Sequence, residues 1–405
     1  MKYIFITPSI RNVGGAELYI SRKVRWLQEK KWEVEIYYQH AGEILIDNLK
    51  VFKNYLLPEL CIPFQQASAR EKKKFLSHFK FDQEECIIES HIIELGLWAE
   101  YAASKLHAKH ICYLLSENFP NLHELQKAFL HFKFDQQLLY GIHKSLIPRI
   151  VPEAVNGEST VLHAVGCTES VIADIEWKRP ISVKTSDYSI LSLGRLEKPY
   201  IPSMINAIQK FAIKYSEKTI VLYVVGSSPD QSKIEAFHAG FTAMPNVQLV
   251  MLGYMFPLPT KLLDLVDVSI ASSGSAGVTG DYGIPTITID AESFKGLGVY
   301  PYTTRNRLFR STEEEKEIID LLEECLIQQK YPKKHNAPCR ELDYSKHLAI
   351  INKSFEPKWF DMGNLYRTKI DCRNFVLETI LGHSFLYIVK RIFRKVVKIG
   401  ICSFK

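Results

Sequence analysis

Two rhythms of apolar and polar positions replace one another along this chain. Residues 3–9 read YIFITPS, an apolar run of strand length. A Gly-Gly turn follows at Gly14 and Gly15, and residues 16–30 (AELYISRKVRWLQEK) shift to a period near 3.6. That period predicts a helix with Leu18, Val24 and Leu27 on its packed face and Arg22, Lys23 and Glu29 toward solvent. WEVEIYYQ (32–39) returns to alternation, as a half-covered strand does. Further apolar runs at 85–92 (ECIIESHI) and 110–117 (HICYLLSE) end in polar residues. Strand, helix and strand in repetition predict a parallel sheet with helical crossovers. Ligands of such sheets bind at the carboxyl ends of the strands.

The stretch 176–188 (EWKRPISVKTSDY) is polar, contains proline and follows neither rhythm, which marks it as an interdomain linker. Beyond it, strands are predicted at 188–195, 219–227, 246–254, 267–273 and 285–290, with helices at 202–215, 230–239 and 259–265. These strands are apolar along their length, as strands covered on both faces are. The fold class expected is α/β, with one domain over 1–178, a second over 188–340 and a C-terminal segment over 341–405.

The composition supports packed cores: 405 residues, 46% hydrophobic and 24% charged. The eight cysteines (61, 86, 112, 167, 325, 339, 372 and 402) include no C-x-x-C pair, so neither a zinc site nor a redox motif is indicated. Unpaired thiols suit a reducing cytosol. The start, MKYIFITPSI, is too short for a signal-peptide core, and no run of 18 apolar residues exists to span a membrane. The net charge of +6 belongs to the tail. Residues 385–405 hold Lys390, Arg391, Arg394, Lys395, Lys398 and Lys405 with no acid, and the rest of the chain is balanced. This argues against a nucleic-acid-binding surface. FKFDQ occurs twice, at 79–83 and 132–136, which does not make a repeat architecture.

Gly14-Gly15-Ala16-Glu17 closes the first predicted strand and opens a helix. Glycines let backbone N–H groups approach a ligand, and a helix start favours anions or sugar hydroxyls, although an ordinary turn can use the same residues. The tetrapeptide resembles the acceptor-side loop of glycosyltransferase family 4 and its GT-B relatives. Leu193-Gly194-Arg195-Leu196 with Lys198 resembles the G-R-L…K segment that opens the family's donor domain, with the lysine closer to the arginine than usual. Val224-Val225-Gly226-Ser227 resembles the V-G-x-G turn, and Asn246-Val247…Leu252-Gly253-Tyr254 the N-V-x-F-L-G-x strand and loop. Asp264-Leu265-Val266-Asp267-Val268 and Gly283-Ile284-Pro285-Thr286 resemble the later D-V strand entry and G-x-P turn.

The resemblance implies a GT-B fold, two Rossmann-like domains facing across a cleft. It implies no bound cofactor, a nucleotide sugar serving as co-substrate. Arg195 and Lys198 would clamp the donor diphosphate, whose departing charge a guanidinium and an ammonium stabilise without a metal. Gly226, Tyr254 and the small-residue loop of Ser273, Gly274, Ser275 and Gly277 would face the donor. Gly14, Gly15 and Glu17 would face the acceptor. Retaining members carry two glutamates in S-x-x-E-G-F-G…E-A-x-A-x-G-x-P, whereas Ser272–Tyr282 here holds neither. Thr279 or Asp281 would then stand in toward the ribose.

His91, ending the predicted strand 85–92, and Glu117, ending 110–117, are the catalytic candidates. The family often places a histidine near the transferring sugar, where an imidazole positions the donor or assists the leaving phosphate. A satisfied core histidine and a solvated glutamate are the plainer readings. In the tail, Phe385, Ile388, Val389, Ile392, Val396 and Ile399 share one helical face, opposite the basic residues. That pattern suits an in-plane helix on an anionic membrane, or a stripe packed on the body. GT-B chains often cross back to the first domain at their end, and 344–371 is the stretch expected to do so.

Together these readings imply a metal-independent glycosyltransferase of bacterial surface polysaccharide assembly, such as capsule. It would act on a glycan or lipid-linked acceptor, cytoplasmic and peripheral on the inner membrane face. A non-catalytic GT-B partner subunit and a nucleotide-sugar epimerase are the alternatives. The tail reading predicts that the full chain co-sediments with anionic liposomes at low salt and that a 1–384 chain does not. Equal pelleting of the two would refute it.

Overall fold

The computed structural model describes residues 1–11, 13–79, 85–115, 122, 124–154, 157–162, 171–172, 186–333 and 344–361. They divide into two compact units. The first holds the described residues of 1–11, 16–162 and 344–361, and the second those of 13–15 and 171–333. Glu117 and the tail 385–405 lie outside the described residues.

The first unit alternates β1 (Lys2–Thr7), α1 (Gly15–Glu29), β2 (Glu33–Tyr38), α2 (Asp47–Val51), β3 (Lys53–Leu56), α3 (Ala69–Leu76) and β4 (Cys86–Ser90). It continues through α4 (Ile93–Leu106), β5 (Lys109–Leu114), α5 (Glu124–Asp135) and β6 (Leu139–Gly141). Its sheet has the order β3-β2-β1-β4-β5-β6, every pair parallel. β1 and β5 are buried at all six positions, as central strands covered on both faces must be.

A short strand β7 (Val171–Ile172) precedes the second sheet. There β8 (Tyr188–Leu193), α6 (Ile201–Lys214), β9 (Ile220–Val225), α7 (Gln231–Thr242) and β10 (Val247–Gly253) follow one another. Next come β11 (Leu258–Pro259), α8 (Thr260–Leu265), β12 (Val268–Ala271), α9 (Ser273–Asp281), β13 (Thr286–Ile289), β14 (Gly296–Tyr300) and α10 (Ile318–Leu322). The order is β10-β9-β8-β12-β13-β14, parallel except for the antiparallel edge strand β14. Period-two alternation splits the strands between two cores. Ile190, Leu222, Val224, Val268 and Ile270 pack with Met204, Ile208 and Phe211 of α6. Leu191, Val221, Tyr223 and Val225 pack with Leu262, Leu263, Val278 and Ile284 on the other face.

In each sheet the chain runs outward from a central strand and then returns to that strand's other side. The reversal falls between β1 and β4 in the first unit and between β8 and β12 in the second. Connections there leave in opposite directions and open a crevice at the carboxyl edge. One sequence expectation is corrected: the small-residue segment after β12 is not a loop but the nine-residue helix α9. Packing between β12 and β13 overrides the poor helix propensity of its glycines and serines.

The last described element, α11 (Ser345–Asn352), packs on the first unit. Lys109 Nζ donates to the carbonyls of Ile350, Ile351 and Lys353, at 3.2, 2.7 and 2.5 Å, closing the open C-terminal end of α11. Trp359 Nε1 donates to the Ala108 carbonyl at 3.0 Å.

Backbone crowding fixes the carboxyl edge of the second sheet. Gly194 N–H donates to Val225 O and Gly226 N–H to Gly253 O. Gly226 has φ +143°, and a Cβ there would lie 1.8 Å from the Gly194 carbonyl oxygen. Neither atom belongs to a flexible side chain, so Gly226→Ala should destabilise by about 3 kcal/mol or more. A shift in the urea midpoint checks this.

Candidate functional site

The donor-side residues gather at the carboxyl edge of the second sheet. Leu193 and Ala271 are register partners, so the connection after β8 and that after β12 leave the sheet side by side. The first carries Arg195, exposed and 3.4 Å from Glu197 Oε1, with half-buried Lys198 three residues on. The second leads into Ser273, Gly274, Ser275 and Gly277 of α9. Ser273 has φ +56°, and its N–H donates to the Arg307 carbonyl at 2.6 Å. Gly226 serves the close approach of two backbones described above. Tyr254 follows β10, half-buried, on the far side of β9.

Thr279 and Asp281 do not take the place expected of them. Thr279 is fully buried; its hydroxyl donates to the Ser275 carbonyl at 3.3 Å and accepts from Thr286 at 2.9 Å. Asp281 ends α9 and accepts the Tyr300 hydroxyl at 2.7 Å. It stands about 12 Å along the axis from Ser273. Counted back from Gly283 and Pro285, the second glutamate of the retaining pattern falls on Val278, which is apolar because it packs in the core.

At the first unit's reversal point, Gly14 precedes α1, Gly15 opens it in free space, and Glu17 lies half-buried in its first turn. The main feature there is one carboxylate. Glu89 is fully buried and accepts from Tyr3 Oη (2.5 Å), Tyr19 Oη (2.8 Å), Lys23 Nζ (2.5 Å) and His91 Nε2 (2.8 Å). Burial alone would raise its pKa, but Lys23 and His91 outweigh that and hold it well below the usual carboxylate range. Burial lowers the pKa of Lys23, against the pull of Glu89. The expectation that Lys23 faces solvent is therefore corrected: it is 1% exposed, and its ammonium also lies 3.4 Å from His347 Nδ1 of α11.

His91 follows β4 and is wholly buried against Phe5, Tyr19 and Tyr113. Glu89 holds its Nε2, and Nδ1 has no hydrogen-bond partner among the described residues. The ring's orientation is thus set from behind.

A second buried network lies on the same sheet and was not foreseen. His110 Nδ1 donates to Glu100 at 2.6 Å, and its Nε2 stands 2.9 Å from Ser90 Oγ. Lys133 Nζ (3.1 Å) and the Phe360 N–H (2.9 Å) complete the Glu100 carboxylate. All three members of this Ser-His-Glu arrangement are 0% exposed, so no substrate reaches it and its role is packing. The signal that could have found both networks is an acid inside an apolar run: Glu89 in ECIIESHI and Glu100 in LWAEYAA.

No protein-family model matches the chain, and no curated protein matches it. Solved structures do. Anabaena HepE in complex with UDP and glucose superposes with TM-score 0.54 and 11% identity, over 82% of this chain and 91% of that one. A glycosyltransferase from Rickettsia africae gives TM-score 0.53 and 12% identity, over 94% and 99%. A variant of S. aureus TarM, crystallised with UDP among its ligands, gives 0.52 and 9%, over 81% and 92%. The protein is an α/β protein with the two-domain GT-B fold. The structures it resembles are GT-B glycosyltransferases.

Two predictions follow from the buried networks. Glu89→Gln leaves the Lys23 ammonium without its counter-charge and should destabilise by about 3–5 kcal/mol, whereas Lys23→Met/Glu89→Gln recovers a large part. Denaturant midpoints of the three chains check this. Burial first, then Lys133, lowers His110 from 6.5 to about 4. Glu100, raised by burial but lowered more by Lys133 and His110, falls from 4.5 to about 2. In both cases the unfolded chain binds more protons, so stability is full at neutral pH and falls with acid. His110 acts between pH 6.5 and 4, and Glu100 between 4.5 and 2. Urea midpoints against pH should show the upper limb flattened in His110→Gln.

Proposed function

We propose that this protein transfers a sugar from a nucleotide-sugar donor to a glycan or lipid-linked acceptor without a metal. The observation that carries the reading is at the second sheet's reversal point. The exposed guanidinium of Arg195 and the N-terminal turn of α9 leave adjacent strand ends, where a parallel sheet binds its ligand. A diphosphate matches both: a fork of donors and a positive helix end. UDP in the HepE and TarM structures supports a nucleoside diphosphate as the product. In the first unit, Gly14, Gly15 and Glu17 would face the acceptor; His91, sealed as fully as Ser90 and His110, is given no contact to the sugar.

Bacterial surface polysaccharide assembly and a peripheral position on the inner membrane face belong to the same proposal. The basic tail supports them through its sequence pattern alone. Among the described residues no helix is long and apolar enough to cross a membrane.

One observation favours a second reading, a non-catalytic donor-binding subunit: Ser272–Tyr282 holds neither glutamate of the retaining pattern, and Val278 packs in the core where the second would stand.

On either reading one of UDP, GDP, ADP, CDP or dTDP raises Tm by several degrees at saturation, and Arg195→Ala weakens it roughly tenfold or more. No protection by any of them sinks both. Release of the diphosphate from its nucleotide sugar, abolished in Arg195→Ala, supports the transferase; binding with no release on any acceptor supports the subunit.

A further inference from the structure

The turn after β8 carries a carboxylate beside the cation at its start. Gly194 N–H donates to Val225 O and Leu196 N–H to Ser227 O, so the end of β9 pins the main chain on both sides of Arg195. Lys198 N–H closes the turn on the Arg195 carbonyl at 3.3 Å. Leu196, 2% exposed, is drawn into the core that holds Met204 and Ile208 of α6. Its neighbours Arg195 and Glu197 are left together at the outside of the turn, with Glu197 Oε1 3.4 Å from Arg195 Nη1. Among the described residues no other side chain pairs with this guanidinium.

Neither group is well served by the contact. Its 3.4 Å exceeds the roughly 2.7–2.9 Å of a charge-assisted hydrogen bond, so the fork of guanidinium donors stays open. The other carboxylate oxygen, Glu197 Oε2, is sealed from water and has no hydrogen-bond partner among the described residues. A carboxylate oxygen with neither water nor donor is costly. The two side chains are 43% and 30% exposed, and an ion pair so open to solvent is weak. The contact therefore holds Arg195 against water but not against a better anion. A diphosphate offers oxygens to several of the open donors and meets the first turn of α9 as well. Once displaced, Glu197 regains water at both oxygens.

We infer that Glu197 is a displaceable counter-ion of Arg195: it holds the guanidinium between ligands, and the donor diphosphate binds by taking its place. The inference rests on the donor reading above and adds a residue that no motif marks. Carboxylate and ligand compete for one guanidinium, so Glu197 lowers the affinity of any anion that binds there. It thereby favours an anion with further contacts over one that meets Arg195 alone.

The test is titration calorimetry on the full chain, with whichever of UDP, GDP, ADP, CDP and dTDP binds wild type most tightly. Glu197→Gln keeps the shape, removes the competing charge and should tighten binding roughly 3- to 10-fold. In the Arg195→Ala background the same substitution should change affinity by less than about twofold, because the carboxylate acts through the guanidinium. Glu197→Asp keeps the charge but falls a methylene short of Nη1, so it should also tighten binding. It decides the matter if Arg195→Ala binds too weakly to titrate. A gain of equal size with and without Arg195, or wild-type affinity in Glu197→Asp beside a gain in Glu197→Gln, means that Glu197 merely repels anions and overturns the inference. Unchanged or weaker binding in Glu197→Gln, beside a loss in Arg195→Ala, overturns it too and leaves the donor reading intact. Failure of wild type to bind any of the five overturns the donor reading and this inference with it.

Discussion

A carboxylate sealed from water keeps its charge only if the protein supplies every partner water would have given. Glu89 meets that demand with two phenols, an ammonium and an imidazole. The four partners come from three elements: Tyr3 from β1, Tyr19 and Lys23 from α1, His91 from the end of β4. Satisfying the charge therefore fixes the rotation of α1 over the sheet and the direction of the imidazole at the reversal point. Lys23 extends the constraint to α11 through His347. The arrangement of the first unit's carboxyl edge follows from this one buried charge. Apolar packing alone would leave α1 free to roll by a fraction of a turn, because hydrophobic contact carries no direction.

In the second unit the buried carboxylate Asp290 is met by Ser293 and Arg310, and the carboxyl edge at β8 and β9 is fixed by backbone contact instead. Gly226 lets its strand end meet the Gly194 carbonyl, and Gly277 lets the Arg307 guanidinium lie on α9. In both places the missing side chain allows an approach that a Cβ would forbid. At Gly226 the geometry is stiff, because the Gly194 backbone cannot rotate aside as a side chain can.

Strand positions were legible in the sequence because a strand covered on both faces needs an unbroken apolar run, and such runs at 3–9, 188–195 and 219–227 cannot be solvated. Lys23 was not legible. Helical periodicity assigns a lysine to water, and the carboxylate that overrides this is 66 residues away. α9 was misread for a related reason. Ser-Gly-Ser-Ala-Gly has the local propensity of a loop, and only the neighbouring strands make it a helix. Local rules recovered the scaffold; the buried charge and α9 are set by contacts between distant segments.

The glutamates' positions bear on what the donor side can recognise. Carboxylates accept hydrogen bonds, so they read hydroxyl groups of ribose and sugar. With Val278 in the second of those places, the cations left at the edge are Arg195 and Lys198, which bind oxygen anions best. On the proposed reading this divides the labour: the second unit holds the donor by its diphosphate, with little discrimination among hydroxyl patterns. Discrimination between sugars then falls to groups that accept hydrogen bonds elsewhere.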